Sequence, residues 1–198
     1  MIIANFVRWL VDSIGRRRAK QLVGKLEHFL QDGESVLDIG AGGGWNGERI
    51  HQEKKCNVTL LDISSNLNRT QLPLLLYDGT TIPFADNSFD TSLLLFVLHH
   101  CQDPAKVLKE AVRVSKKRVI IMEDTFGSWF GRILLCCYDT FENFPALLVE
   151  PSYKMNLPHN FKKVPEWKEA FEHLGLKLVH TEHIQRFPIT QILFILEK

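Results

Sequence analysis

Residues able to bind a polar ligand stand where apolar runs end along this chain. Residues 36–44 read Val-Leu-Asp-Ile-Gly-Ala-Gly-Gly-Gly, so Asp38 lies in a short apolar run that changes abruptly to glycine. The run predicts a buried strand, and the glycines predict a tight turn that approaches another group closely. A helix over 45–52 would complete a strand, turn and helix, the unit whose backbone N–H groups face a bound nucleotide. Glycine turns also occur as plain connectors, so this turn alone is weak support for a ligand site.

Two later acids occupy equivalent positions. Asp62 follows the apolar run 57–61, where its two carboxylate oxygens could accept both hydroxyls of a ribose. The alternative is a simple strand-end cap, because aspartate favours turns. Ile63 could lie against an adenine face. Asp78 and Gly79 follow the run 74–77, where an acid and a backbone N–H could contact the adenine edge.

Candidate proton acceptors follow two further strands. His99 and His100 end the apolar run 91–98, and Glu123 and Asp124 follow the run 119–122. These positions favour a general base at the carboxyl edge of a sheet. The alternatives stay open, since a histidine pair at a strand end is as often a packing or hydrogen-bonding group. The acids could equally cap the next helix.

The elements that must position these residues alternate between strand and helix. Residues 2–30 predict two helices broken near Gly15, and Asp103-Pro104 begins another as N-cap and first helical residue. Prolines at 145, 151, 158 and 165 predict loops, a helix over 166–174 follows, and two last strands lie at 176–184 and 188–196. This alternation indicates an α/β fold.

Composition narrows the class of protein. The chain has 198 residues, 45% hydrophobic and 24% charged, which suits one globular domain, and its net charge of +1 gives no reason to expect a nucleic-acid partner. No apolar run reaches the ~18 residues of a membrane span, and no signal peptide is evident. The four cysteines lack metal-ligand spacing, so we expect reduced thiols, no metal site and a cytoplasmic location.

Together these residues resemble a class I S-adenosylmethionine-dependent methyltransferase of the small-molecule, type 11-like branch. The resemblance covers about residues 34–124 and rests on four pieces of sequence. These are the run at 36–44, the strand-end Asp62, Asp78 followed by Ile-Pro-Phe-Ala-Asp-Asn-Ser-Phe-Asp at 82–90, and Leu-His-His-Cys-Gln-Asp-Pro at 98–104. A nicotinamide dehydrogenase would share the glycine turn and the strand-end acid, but it leaves Asp78-Gly79 and Phe89-Asp90 unexplained.

The resemblance implies S-adenosylmethionine as cofactor, with a role for each matching residue. The methionine part would lie along Gly40, Ala41, Gly42 and Gly44, and Asp38 and the backbone near Leu94 and Leu95 would hold its amino group. Asp62 would bind the ribose. Ile63 would cover the adenine, and Asp78 and Gly79 would contact the edge of the adenine. Residues 63–72 are too few for the usual helix after the second strand, which weakens the placement of Asp78.

The implied fold is a Rossmann-like, mostly parallel sheet of seven strands in the order 3-2-1-4-5-7-6, with strand 7 antiparallel and helices on both faces. One domain, 1–198, would comprise N-terminal helices (1–33), a cofactor-binding half (34–124), an apolar insertion or lid (125–165) and a C-terminal helix with a hairpin (166–198).

The implied activity is in-line methyl transfer to a small acceptor, with apolar or aromatic molecules as candidates and His99, His100 and Glu123 as candidate catalytic residues. The alternative is a cofactor-binding protein without catalysis. The aromatic stretch 126–148, with help from the N-terminal helix, could form a lid over the methyl-donor end of the site. Alternatively, the stretch could complete the core, or contact a membrane or second chain. For the N-terminal helix by itself, packing on the domain is favoured over contact with a membrane or covering of a substrate.

Overall fold

The computed structural model describes residues 2–149, 157–186 and 189–198 as one sheet with helices around it. Its elements in chain order are α1 (Ile2–Leu26), β1 (Ser35–Ile39), α2 (Trp45–Lys54), β2 (Asn57–Asp62), β3 (Leu74–Leu76), β4 (Phe89–Leu95), α3 (Pro104–Val114), β5 (Ser115–Thr125), α4 (Trp129–Val149), α5 (Val164–His173), β6 (Lys177–Arg186) and β7 (Ile189–Glu197). Short 3₁₀ turns at Glu27–Phe29 and Leu98–His100 follow α1 and β4.

The seven strands form one sheet in the order β3-β2-β1-β4-β5-β7-β6. Strands β1 to β5 pair in parallel, whereas β7 runs antiparallel to both β5 and β6. The predicted fold class is therefore confirmed, including the strand order and the terminal hairpin. The central strands are buried on both faces because most of their residues there are apolar.

A hydrophobic core lies on each face of the sheet. On one face, Val107 and Leu108 of α3 pack with Trp167 and Phe171 of α5. On the other face, the C-terminal half of α1 packs with Ile50 of α2. Two helical layers therefore enclose the sheet, as expected for a doubly wound protein.

Several predicted boundaries were wrong. The break near Gly15 does not occur, since α1 runs unbroken from Ile2 to Leu26. Gly15 instead permits close packing, because a Cβ there would collide with the ring of Trp45. Pro145, expected to begin a loop, lies inside α4. The predicted break at Pro151 lies outside the described residues.

Two further boundaries concern the edge of the sheet that carries the site. Glu123 and Asp124 do not follow the fifth strand but belong to it, because β5 extends to Thr125. No helix joins β2 to β3, as the short interval predicted.

Among the described residues, no helix combines the length and apolar character needed to cross a membrane.

Candidate active site

The turn between β1 and α2 has a backbone path that requires glycine. Gly40 has φ +70° and Gly42 has φ +52°, values that L-residues with a side chain rarely adopt. A Cβ at Gly40 would also collide with the side chain of Val97. The Gly40 N–H donates to the Leu61 carbonyl at 2.7 Å, which fixes the turn against β2. Gly44 closes the turn, where its carbonyl accepts the Glu48 N–H at 2.9 Å as α2 begins.

Asp62 joins this turn to the end of β2. Its Oδ2 accepts the Gly42 N–H at 2.8 Å and its Oδ1 accepts the Ser64 N–H at 3.1 Å. The residue is 8% exposed, and burial raises the pKa of its carboxyl group. Each oxygen has a further lone pair, so the predicted contacts with ribose are compatible with these bonds.

The predicted adenine contacts lie on a more open surface. Ile63 is 52% exposed, and a Cβ at Gly79 would lie 3.2 Å from its Cγ2 atom, so the two residues are neighbours. The Asp78 carboxylate is already engaged, because its Oδ1 accepts the N–H groups of Thr80 and Thr81, each at 2.7 Å. These bonds lower the pKa of Asp78. Its role at the adenine edge stays a prediction.

Asp38 is a buried acid that no described residue neutralises. It is 1% exposed, and its Oδ2 accepts no hydrogen bond from the described residues. Burial, with a smaller contribution from nearby Asp62, raises the pKa of its carboxyl group to about 7, against a backbone hydrogen bond from Gly47. A buried acceptor without a donor is costly, so a bound ammonium would relieve it. Asp38 therefore fits the amino group of the expected cofactor.

A cavity of about 510 Å³ opens beside the glycine turn. Its floor includes Gly40, Ala41 and Gly42 of the turn and Leu95 at the end of β4. Leu94, on the same strand, is fully buried beneath it. The helices α1 and α4 form the walls; their lining residues are Val11, Ile14, Gly15, Arg18, Ala19 and Leu22 from α1, and Tyr138, Asp139, Phe141, Glu142 and Asn143 from α4. Both segments of the predicted lid thus border the site.

Arg18 connects the two wall helices. Its guanidinium lies 3.1 Å from Oε1 of Glu142 on α4 and 4.6 Å from the centre of the Phe96 ring. The aliphatic part of an arginine side chain can cover apolar surface, and its guanidinium can lie against an aromatic ring. Here the charge of Arg18 is paired with Glu142 at the same time. The cavity is thereby closed on one side by a contact between α1 and α4.

His99 and His100 border the same cavity, and Glu123 holds His99 in place. His99 is 1% exposed, and its Nδ1 bonds to Oε2 of Glu123. The other carboxylate oxygen of Glu123 accepts the N–H groups of Val97 and Leu98, at 3.1 and 2.7 Å. Glu123 therefore orients His99 and fixes the chain after β4.

Asp139 of α4 completes the polar end of the cavity. Its Oδ1 lies 3.6 Å from Nε2 of both His99 and His100, and its Oδ2 lies 3.4 Å from Nε2 of His159. Burial lowers the pKa of His99, but Glu123 and Asp139 together raise it to about 10. Sequence reasoning missed Asp139; the available signal was a single acid amid the apolar residues 133–138.

The sheet order and the glycine turn define a Rossmann-like fold, in which such a turn is suited to a nucleotide-containing cofactor. A sequence model described as a methyltransferase domain matches residues 37–122. This match supports the resemblance to the class I S-adenosylmethionine-dependent methyltransferases, with S-adenosylmethionine as the expected cofactor. The glycine turn and the unneutralised Asp38 fit that cofactor.

Similar sequences include demethylmenaquinone methyltransferases from several bacteria. A demethylmenaquinone methyltransferase of Paenarthrobacter aurescens (strain TC1) is 35% identical over 99 residues, covering 46% of this chain and 39% of the relative. One of Tropheryma whipplei (strain Twist) is 28% identical over 204 residues, covering 96% of this chain and 73% of the relative. The chain spans less than half the length of the first curated relatives it matches.

Solved structures share the fold at low sequence identity. A putative methyltransferase from Bacillus halodurans C-125 superposes with a TM-score of 0.65 at 18% identity, covering 89% of this chain and 98% of that one. A putative sarcosine dimethylglycine methyltransferase from Galdieria sulphuraria gives a TM-score of 0.68 at 16% identity, covering 92% and 85%. The architecture is thus common to proteins of diverse sequence.

Proposed function

We propose that this chain transfers a methyl group from S-adenosylmethionine to a small apolar or aromatic acceptor. The observation that carries the proposal is the cavity beside the glycine turn. Its floor is the predicted methionine site, and its mouth includes Ile14 and Phe141, which are 56% and 78% exposed. An apolar mouth that leads to a few convergent polar groups suits a small apolar ligand.

The residues of the chain act mainly by placement. The cofactor supplies an activated methyl group on a sulfonium. The glycine turn and Asp62 fix the cofactor, and Asp38 pairs with its amino group. Helices α1 and α4 hold the acceptor in line and exclude water, and orientation of this kind contributes ~7–11 kcal/mol to catalysis. His99 and His100 contact the acceptor end of the cavity, while buried Glu123 acts through His99 as a positioning residue.

The relatives suggest which acceptor to test first. Demethylmenaquinone methyltransferase, by its name, methylates a naphthoquinone-derived acceptor. A reduced naphthoquinone is flat and aromatic, which suits the apolar mouth of the cavity. We therefore take a short-chain demethylmenaquinol as the first acceptor.

The test is turnover with labelled S-adenosylmethionine. Product heavier by one methylene should form with demethylmenaquinol, or label should enter an apolar fraction of a cell extract. Phe141→Ala at the cavity mouth should raise the KM for the acceptor and leave cofactor affinity unchanged. The matched control is Phe130→Ala, which removes a 57% exposed ring of α4 that does not line the cavity.

The alternative function is cofactor binding without catalysis. It would be favoured if calorimetry showed tight binding of S-adenosylmethionine while neither the quinol nor any extract fraction accepted label. Tighter binding of NADH than of S-adenosylmethionine would instead contradict the cofactor.

A further inference from the structure

Three potential metal ligands converge at the inner end of the cavity. They are the imidazoles of His99 and His100 and the carboxylate of Asp139, each of which offers one ligand atom within 4.8 Å of the other two. His99 and Asp139 are 1% and 4% exposed, so two of the three are almost fully withdrawn from water. The three residues also line the cavity.

The separations match a shared cation better than direct hydrogen bonds. Oδ1 of Asp139 lies 3.6 Å from each histidine Nε2. That distance exceeds the 2.7–3.2 Å of an N–H···O bond. Two nitrogen and oxygen ligands at about 2.0–2.1 Å from a tetrahedral zinc ion lie roughly 3.3 Å apart. The ligand atoms of the two imidazoles lie within 4.8 Å of each other, so we expect His100, which is less buried than His99, to turn inward when the cation binds.

We propose that His99, His100 and Asp139 bind a divalent transition-metal cation, with Zn²⁺ as the best match. Two imidazoles and one carboxylate are the ligand set of open catalytic zinc sites. With three protein ligands, the remaining position faces the cavity. The cation takes the place of the proton on His99, since metal binding to histidine requires the neutral ring.

The surrounding residues already hold each ligand in place. Glu123 bonds to Nδ1 of His99, which leaves Nε2 directed at Asp139. Asn143, one helical turn along α4, donates to Oδ1 of Asp139 at 2.9 Å. His159 lies 3.4 Å from the other carboxylate oxygen, Oδ2. Carboxylate partners behind a histidine ligand, and hydrogen bonds to a carboxylate ligand, are the usual outer shell of a metal site.

The coordination position that the protein leaves open suggests how the cation would act on the acceptor. Only this part of the proposal depends on the proposed function. A cation there would bind an oxygen of the acceptor, such as the hydroxyl of a reduced quinone, and stabilise its ionised form as a Lewis acid. It would thereby choose acceptors with an oxygen near the methylated atom. Cation binding itself requires no turnover.

The test is metal titration of the full chain after treatment with a chelator. Calorimetry with Zn²⁺, and visible absorption with Co²⁺, should show one equivalent bound in tetrahedral geometry. Asp139→Asn and His100→Ala should each weaken binding at least 100-fold, whereas His173→Ala should have no effect, because His173 is on the exposed surface of α5. Circular dichroism confirms that each variant is folded.

Two outcomes would overturn the site. One is no saturable binding below millimolar metal; the other is binding that survives both Asp139→Asn and His100→Ala. Affinity for S-adenosylmethionine should be the same in the metal-free and the metal-loaded protein, since the glycine turn contributes no ligand to the metal. Failure of the metal site and failure of the cofactor assignment are thus seen in different measurements.

Discussion

Cofactor affinity should depend on the ionisation of Asp38. Burial raises the pKa of this carboxyl group to about 7 in the free protein. The ammonium of S-adenosylmethionine pairs only with the ionised form, so apparent affinity is scaled by the ionised fraction. That fraction is about 1% at pH 5 and about 50% at pH 7 for a pKa of about 7. We therefore expect about a 50-fold gain in affinity between pH 5 and pH 7.

Isothermal titration calorimetry over this range measures the effect directly. Near pH 6, binding should release close to one proton, detected by repeating the titration in buffers of different ionisation enthalpy. Asp38→Asn should bind more weakly at pH 7 and lose most of this pH dependence. Asp32→Asn is the matched control, because Asp32 is exposed and pairs with Lys54. Equal wild-type affinity at pH 5 and pH 7, with no proton release, would refute the contact.

The pH dependence of the stability of the free protein independently tests the raised pKa of Asp38. The folded-state pKa of Asp38 lies above the unfolded value of 3.8. Its contribution to stability is therefore fully present below about pH 4 and is lost as the pH rises towards 7. Asp38→Asn should remove this loss, so its melting temperature relative to wild type should improve from pH 4 to pH 7. A relative melting temperature that does not change with pH would contradict the raised pKa.

Three further predictions follow from burial and hydrogen bonding. Asp62→Ala removes the acceptor for the Gly42 N–H and the predicted contacts with ribose. It should weaken cofactor binding by about 1.5–3 kcal/mol, which calorimetry would measure as a roughly 10- to 150-fold rise in Kd. Equal affinity in the variant and the wild type would contradict the ribose role. Trp129→Ala should change the free energy of unfolding by less than about 0.5 kcal/mol, because its ring is 75% exposed, and a large loss would mean that it completes the core. Trp167→Ala, by contrast, should cost about 3–5 kcal/mol in denaturant melts, since Trp167 is 1% exposed.

The sequence was most informative where one residue type decides the local structure. Continuous apolar runs predicted the buried strands, and the strand order came from the family resemblance. The glycines at 40, 42 and 44 predicted a turn of unusual backbone conformation, and all three have positive φ. Periodicity was weaker at Gly15, where the absence of a side chain serves packing against Trp45 rather than a break in α1.

The polar end of the cavity could not be predicted from local patterns. Asp139 reaches the histidines only because α4 crosses the edge of the sheet after β5. Its importance therefore depends on a tertiary contact between residues about forty positions apart. Glu123 was identified, but the pattern could not show that it bonds to His99 and two backbone N–H groups instead of facing the cavity.

The packing around Trp45 restricts how this family of sequences can change. Its indole lies between Gly15 of α1 and Gly43 of the glycine turn; an added Cβ would come within 2.3 Å of ring atoms at Gly15 and within 2.6 Å at Gly43. A larger residue at position 15 or 43 is thus tolerated only with a smaller one at 45. Substitutions at the three positions should be strongly non-additive, as they are for residues in direct contact. Among homologues, these positions should covary, so the placement of α1 over the cofactor turn leaves a record in sequence alignments.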